Sequence, residues 1–442
     1  MSLEFPDTIV ALSSGRLPSG IAIVRISGLQ TRFAVETIAG ALPEPRRASF
    51  SGLRTPLGET IDSGLLLFFP SPGSFTGEDL AEFQVHGGKA VVAALLQALT
   101  SLPGVRHAEA GEFTRRAFLN GKLDLIESEA LADLISSETE AQRRLAVSNA
   151  SGAQSRLYAG WRRRIVHAMA MIEAELDFSD EGDIPGSMAA QVWADVKALR
   201  LEVQEHVKGY HQAEIIRDGY DVVIVGAPNA GKSSLLNALA QRDAAIVSDE
   251  PGTTRDLVEL SLDLNGVKVR LTDTAGIREA AGKVESIGIE RALGRARSAD
   301  LVLLVFDATL PGIDVPEVPN PNILRVGTKR DLLVDKVLKD GGDLLVSSVT
   351  GAGVSALLER ISVLGFDAAG KAGDILPARL RHVELLQEAA LGLTSALRDD
   401  GRGLELRADD LRRAGDQIGR ISGAVGVEDL LDVIFAQFCV GK

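Results

Sequence analysis

The chain has 442 residues, 45% of them hydrophobic, a formal net charge of −14 and a single cysteine. That length implies two or three domains with real cores. The absence of an 18-residue apolar run excludes a transmembrane helix, and no basic-then-apolar leader stands at the start. Lone Cys439 excludes an internal disulfide framework and suits a reducing compartment, so a cytoplasmic location is expected. The acidic balance excludes a generic nucleic-acid-coating protein; an RNA partner has to be met by a local basic patch or through another protein.

Residues 1–118 mix short β-like runs, Ile21 to Ile26 and Ser63 to Phe69, with Pro- and Gly-rich turns. This zone contains Asp7-Thr8-Ile9-Val10-Ala11, Phe75-Thr76-Gly77-Glu78-Asp79 and His86-Gly87-Gly88. Gly111-Glu112-Phe113-Thr114-Arg115-Arg116 runs on into Ala117-Phe118-Leu119-Asn120-Gly121-Lys122. These read as polar turns, where binding residues often sit. His86 has no second His or Cys at metal-ligand spacing and reads as a satisfied turn histidine. Residues 119–218 turn helical, with long Ala/Leu/Glu/Arg segments and few glycines.

The next zone, 219–365, carries the chemistry. Gly226-Ala227-Pro228-Asn229-Ala230-Gly231-Lys232-Ser233-Ser234 fits G-x-x-x-x-G-K-[ST], between the apolar run Val222 to Val225 and the helical run Leu235 to Leu239. Strand, glycine loop and helix N-terminus together cradle phosphate oxygens. Lys232 is expected on the β- and γ-phosphates and the Ser233 hydroxyl on Mg²⁺. A polar segment follows, Ser248-Asp249-Glu250-Pro251-Gly252-Thr253-Thr254, in which Thr254 is the expected second hydroxyl on Mg²⁺. Asp273-Thr274-Ala275-Gly276 ends the alternating run Val267 to Leu271 and suits the Mg²⁺ shell and the γ-phosphate.

Thr328-Lys329-Arg330-Asp331 follows the apolar run Ile323 to Val326. Asp331 can accept two hydrogen bonds from the guanine edge, which adenine cannot offer, while Lys329 packs over the base. Ser347-Ser348-Val349 follows Leu344 to Val346 and closes the base pocket with backbone N–H groups. Five loops, each after a strand, predict a GTP site at the strand ends of a doubly wound α/β sheet. GTPases usually have Asn where Thr328 stands, so guanine specificity is expected to rest on Asp331, with weaker affinity. Ras-like enzymes orient the attacking water with a Gln after the D-x-x-G glycine; here that position is apolar Ile277, and Glu285 is the candidate in its place. No residue identifies itself as an arginine finger. A monovalent cation beside Mg²⁺, held by Asn229 and oxygens of the loop Ser248 to Thr253, can neutralise the transition-state charge instead.

A Gly/Ala/Asp linker, Gly365 to Asp374, precedes a returning helical pattern from Ala378 to Phe438 within 366–442. Helix before and after the nucleotide zone suggests one discontinuous helical domain. The tail Phe438-Cys439-Val440-Gly441-Lys442 places a free thiol near lysine, a weak reason for a lowered pKa.

Taken together, D-T-I-V-A, F-T-G-E-D, H-G-G, R-A-F-L-N-G-K-L-D-L, the glycine loop, G-T-T-R-D, D-T-A-G-I-R, V-E-x-I-G-I-E-R-A and the terminal F-C-x-G-K closely resemble the MnmE (TrmE) family of tRNA-modification GTPases. The resemblance implies an N-terminal α+β folate-binding and dimerisation domain (1–118), a discontinuous helical domain (119–218 and 366–442) and an inserted P-loop G domain (219–365). It implies a homodimer whose G domains meet in a potassium-dependent way. Asn229, Ser248, Glu250 and Thr253 are then the K⁺ ligands, with Ser248 replacing the family's Thr, and Glu285 is the water-orienting residue. Arg25, Glu82, Lys122 and Lys442 match positions that bind a formyl- or methylene-tetrahydrofolate. With an FAD-dependent MnmG-type partner, such proteins install an aminomethyl or carboxymethylaminomethyl group at the 5-position of the tRNA wobble uridine. Cys439 stands as a possible active-site residue. The competing reading is a ribosome-assembly or RNA-associated switch GTPase, which usually adds a basic RNA-binding domain that this chain does not display.

Overall fold

The computed structural model describes residues 5–177, 186–241, 245–246, 259–273, 294–310, 318, 320–333, 344–370, 373–398, 401, 403–426, 428–436, 438 and 441. The chain forms two compact units. One gathers 1–132, 155–166 and 415–442; the other gathers 133–154 and 167–414.

The first unit is built on a six-stranded sheet, in spatial order β3-β4-β5-β2-β1-β6. Its strands are β1 Thr8–Leu12, β2 Ser19–Ser27, β3 Ser49–Arg54, β4 Thr60–Phe69, β5 Leu80–Gly87 and β6 Val105–His107. All neighbouring pairs are antiparallel except β1 with β6. The alternation of strand side chains decides what each face meets. Val10, Val24, Ile26, Phe83 and Val85 join Val35, Ile38, Leu95 and Leu99, from the helices Thr31–Ala39 and Lys89–Thr100, in one core. Ile9 and Ala11, on the opposite face of β1, pack with Ala108 and Phe113 in a second. The D-T-I-V-A segment is therefore a strand buried on both sides, not a polar turn. The stretch after Gly111 is likewise a helix, Glu112–Leu119, entered through Gly111 at φ 66°. Of these segments only F-T-G-E-D is a loop between strands, and His86 lies in β5, its Nδ1 2.9 Å from Asp62 Oδ1.

In the second unit lies another six-stranded sheet, in the order β12-β11-β10-β7-β9-β8. It comprises β7 Tyr220–Gly226, β8 Glu259–Leu264, β9 Val267–Asp273, β10 Leu301–Asp307, β11 Ile323–Thr328 and β12 Leu344–Leu345. Only β8 with β9 is antiparallel. Central β7 and β10 read as unbroken apolar runs because both faces are covered. Val222, Ile224, Leu301 and Leu303 face one core, and Val223, Val225, Val302 and Leu304 face another. The α/β doubly wound fold expected from the loop order is present. Strand order reverses at β7, which has β9 on one side and β10 on the other, and ligands bind at such a switch point.

The linker begins later than composition implied. Helix Val354–Ala369 runs through Gly365 and stops at Gly370. Gly365 is buried on this helix, against the Tyr220 ring, so it lies in a packed element and not in a linker. Helices Leu380–Ala396, Leu404–Ser422 and Glu428–Phe435 follow. No helix among the described residues is long and apolar enough to cross a membrane.

Candidate functional site

Five parallel strands bring their carboxyl ends to one edge of the second sheet, and those of the expected nucleotide residues that the structure describes sit there. β7 ends at Gly226, where a Cβ would stand 2.1 Å from the Val305 carbonyl oxygen; only glycine lets β10 come so close. The loop then turns through Asn229 at φ 63° and Gly231 at φ 91°, conformations that Asn tolerates and Gly prefers. Gly231 caps helix Lys232–Ala240. Ala230 is buried, while Asn229, Ser233 and Ser234 are exposed at the mouth.

Lys232 is only 7% exposed, and its Nζ donates to the carbonyls of Gly226 and Ala227, each at 2.9 Å. The ammonium is thus folded back into its own loop. The Ser233 hydroxyl donates to Asp273 Oδ2 at 2.9 Å, and Asp273 is buried at the end of β9. The hydroxyl and carboxylate expected to share Mg²⁺ therefore already touch. Hard oxygen donors of this kind suit Mg²⁺.

The base side is built from β10, β11 and the turn after β12. Thr328 is 2% exposed, and its Oγ1 lies 2.6 Å from the Ala230 carbonyl oxygen and 3.1 Å from that of Phe306. Lys329, at φ 59°, donates to Asp307 Oδ2 at 2.5 Å. Burial pushes the Asp307 carboxyl up, but hydrogen bonds from Lys329 and Thr309 outweigh it and hold it below the usual carboxylate range. Asp331 Oδ1 accepts the Ser347 hydroxyl at 2.5 Å. Ser347 is itself fully buried, and its Oγ accepts the Thr350 N–H. Arg330 donates its N–H to the Val346 carbonyl, tying the two base loops together. Ser348 begins the turn after Ser347, and Val349 is exposed at its tip.

Two contributions went unread in the sequence. The Ser347 side chain, not only the backbone near it, holds Asp331. Asp307 anchors Lys329. Asp307 ends its strand as Asp273 does, so the same strand-end rule would have found it.

In the first unit Arg25 and Glu82 face each other across β2 and β5. Arg25 Nη2 lies 2.8 Å from Glu82 Oε1, and the guanidinium sits 5.7 Å and 5.8 Å from the Phe75 and Phe113 ring centroids. Lys122 is exposed and donates to the Pro72 carbonyl at 2.8 Å. The N-terminal motifs converge instead on Arg116, which is 1% exposed. It donates to Asp7 Oδ1, Glu112 Oε1 and Glu78, and its guanidinium stacks 4.5 Å from the Phe5 ring centroid. Burial would raise Asp7 and Glu112, but hydrogen bonds from Arg106 and Arg116 outweigh it and lower both. At Glu78 burial wins over Arg116, and the carboxyl is raised. Much of the motif chemistry in this unit is therefore internal wiring.

Ser248, Asp249, Glu250, Pro251, Gly252, Thr253, Thr254, Thr274, Ala275, Gly276, Glu285, Cys439 and Lys442 lie outside the described residues.

Comparison with known proteins covers nearly the whole chain. The family model of the GTP-binding protein TrmE N-terminus matches residues 8–122, and that of the MnmE helical domain matches residues 125–439. A tRNA modification GTPase MnmE of Mesorhizobium japonicum is 61% identical over 99% of both chains. One from Chelativorans sp. is 58% identical over 99% of this chain and 98% of its own. A third, from Brucella canis, is 53% identical over 99% of both. At that identity and coverage, with a phosphate loop, a Ser–Asp pair and an Asp-bearing base loop at one sheet edge, the chain belongs to the MnmE family of tRNA modification GTPases.

Proposed function

We propose that this protein is the GTP-hydrolysing component of a complex that adds a carboxymethylaminomethyl or aminomethyl group to the 5-position of the tRNA wobble uridine. The observation that carries the GTPase half is Ser233 bonded to Asp273 at the head of a helix whose Lys232 is turned into the glycine loop. Lys232 exchanges its two backbone carbonyls for phosphate oxygens when nucleotide enters. Ser233 and Asp273 hold Mg²⁺, with Thr254 as the further hydroxyl; the ion neutralises charge on the β- and γ-phosphates. Asp331, held by Ser347, reads the guanine edge. Glu285 orients the attacking water, and Asn229, Ser248, Glu250 and Thr253 hold a K⁺ that stands in for an arginine finger. Replacing potassium by sodium at equal ionic strength is expected to slow hydrolysis; equal rates would remove the K⁺ from this reading.

The carbon chemistry belongs to the other unit. Arg25, Glu82, Lys122 and Lys442 bind a tetrahydrofolate one-carbon donor, their basic groups meeting its carboxylates and Glu82 its pterin amine and amide. An FAD-dependent partner of the MnmG type and a second copy of this chain complete the assembly, and tRNA is met mainly through that complex. Family membership supports this half, as does the half-buried Arg25–Glu82 pair between two aromatic rings.

The test is nucleoside mass spectrometry of tRNA from cells lacking the protein. Loss of the aminomethyl-type nucleoside, restored by the intact gene but not by Lys232→Ala, is the expected result. Unchanged tRNA would overturn the modification role and favour the ribosome-assembly reading.

A further inference from the structure

Thr328 departs from the residue usual at the head of the guanine-reading loop, and its surroundings give it a different job. Its hydroxyl carries one proton. Both oxygens within reach, the Ala230 carbonyl at 2.6 Å and the Phe306 carbonyl at 3.1 Å, are acceptors only. The proton is therefore held between the glycine loop and β10, and the side chain is 2% exposed. The part of guanine left over once Asp331 has accepted from its N–H groups is the O6 and N7 edge, which offers acceptors only. A hydroxyl whose single proton is committed inward has nothing to give that edge. Gly231 leaves room for this close approach, since a Cβ there would lie 3.3 Å from Thr328 Oγ1.

We propose that Thr328 is a positioning residue that latches the phosphate loop to the base-loop strand and makes no contact with guanine N7. The proposal rests on the guanine-nucleotide reading of the site. Guanine selection then falls to Asp331, and the latch acts equally on GTP and GDP because both use the same loop.

The experiment is equilibrium binding of GTP, GDP and 7-deaza-GTP, which replaces N7 by a carbon, to the full-length chain with Mg²⁺. Thr328→Val keeps the shape and removes the proton; Thr328→Ser keeps the proton. Thr328→Val is expected to weaken GTP and GDP alike, by roughly tenfold, the scale of a buried acceptor losing its donor. Thr328→Ser is expected to stay within about twofold of the wild type on the same scale. The ratio of 7-deaza-GTP to GTP affinity is expected to be the same in the wild type and Thr328→Val, the signature of two groups that do not interact. Thr328→Ala repeats the comparison should the valine variant misfold. A wild-type N7 preference that Thr328→Val abolishes would overturn the proposal by making Thr328 a base reader. Wild-type affinity for GTP in Thr328→Val would overturn the latch. A wild-type chain that binds neither GTP nor GDP would overturn the guanine-nucleotide reading itself, an outcome distinct from the other two.

Discussion

Asp331 is exposed to solvent, yet its carboxylate is not free to swing, because the buried Ser347 hydroxyl donates to one of its oxygens. A carboxylate fixed in this way is ready to accept both donors of the guanine edge without first being ordered. Asp331→Asn exchanges an acceptor pair for an acceptor and a donor. It should move preference from GTP toward XTP and weaken GTP by at least about 100-fold, two charge-assisted hydrogen bonds being at stake. Unchanged preference would take Asp331 out of the base pocket. Ser347→Ala leaves the carboxylate in place but loosens it. A loss of about 1 kcal/mol, or five- to tenfold in GTP affinity, is expected, with guanine still preferred over adenine. Fluorescent-nucleotide titration of the two variants side by side separates reading the base from holding the reader.

At the level of single elements, period and punctuation were legible wherever an apolar run ended in a chemical residue. β7, β9, β10 and β11 all stop at or beside a site group, so the nucleotide edge could be placed from Gly226, Asp273 and Thr328 alone. The N-terminal motifs were harder. Asp7, Glu78, Glu112 and Arg116 are polar and Gly-flanked, which reads as exposed turn; only the fold shows that they bury one another around Arg116. Asp7 and Glu78 reach Arg116 from far along the chain and leave no local pattern; only Glu112, one helical turn before Arg116, does. The helix through Gly365 was missed for a similar reason, since burial of its face at Leu357, Ile361 and Gly365 overrides the residue's poor helix propensity.

Helix Gly186–Lys208 carries a further consequence of burial. His206 is pushed down to about 4 from 6.5, first by burial and then by the neighbouring charge of His382. Between those two values the unfolded chain binds the proton and the folded chain does not. Stability is therefore present in full above pH 6.5 and falls as the pH drops toward 4. Between pH 7.5 and 5.5 this group should cost about 1 kcal/mol. Urea unfolding followed by circular dichroism at both pH values checks it. His206→Gln should lose less stability than the wild type over that interval, and equal losses would show that His206 does not set the acid sensitivity.

On the scale of the whole molecule, acidity and a single cysteine only excluded classes; order of motifs located the functions. The G-domain loops announce themselves because phosphate and guanine impose fixed residue types on strand ends. Arg25 and Glu82 carry no such local pattern; the folate role proposed for them rests on the family resemblance, and the structure adds that they form one half-buried pair beside the Phe75 and Phe113 rings. The two proposed sites draw on residues of separate compact units, which predicts separable defects. Arg25→Ala removes the cation beside Glu82 and should weaken 5-formyl-tetrahydrofolate by tenfold or more, since hydrogen bonds to charged groups contribute roughly 1.5–3 kcal/mol. GTP hydrolysis should stay within about twofold, the spread of surface changes far from a site. Lys232→Ala should do the reverse, sparing folate and abolishing turnover. On the proposed function, both should strip the wobble modification from tRNA. Measuring folate binding, GTP turnover and tRNA nucleosides on the same two variants decides the matter. Loss of GTP turnover in Arg25→Ala in step with folate binding would mean that the pair supports the fold and not the ligand.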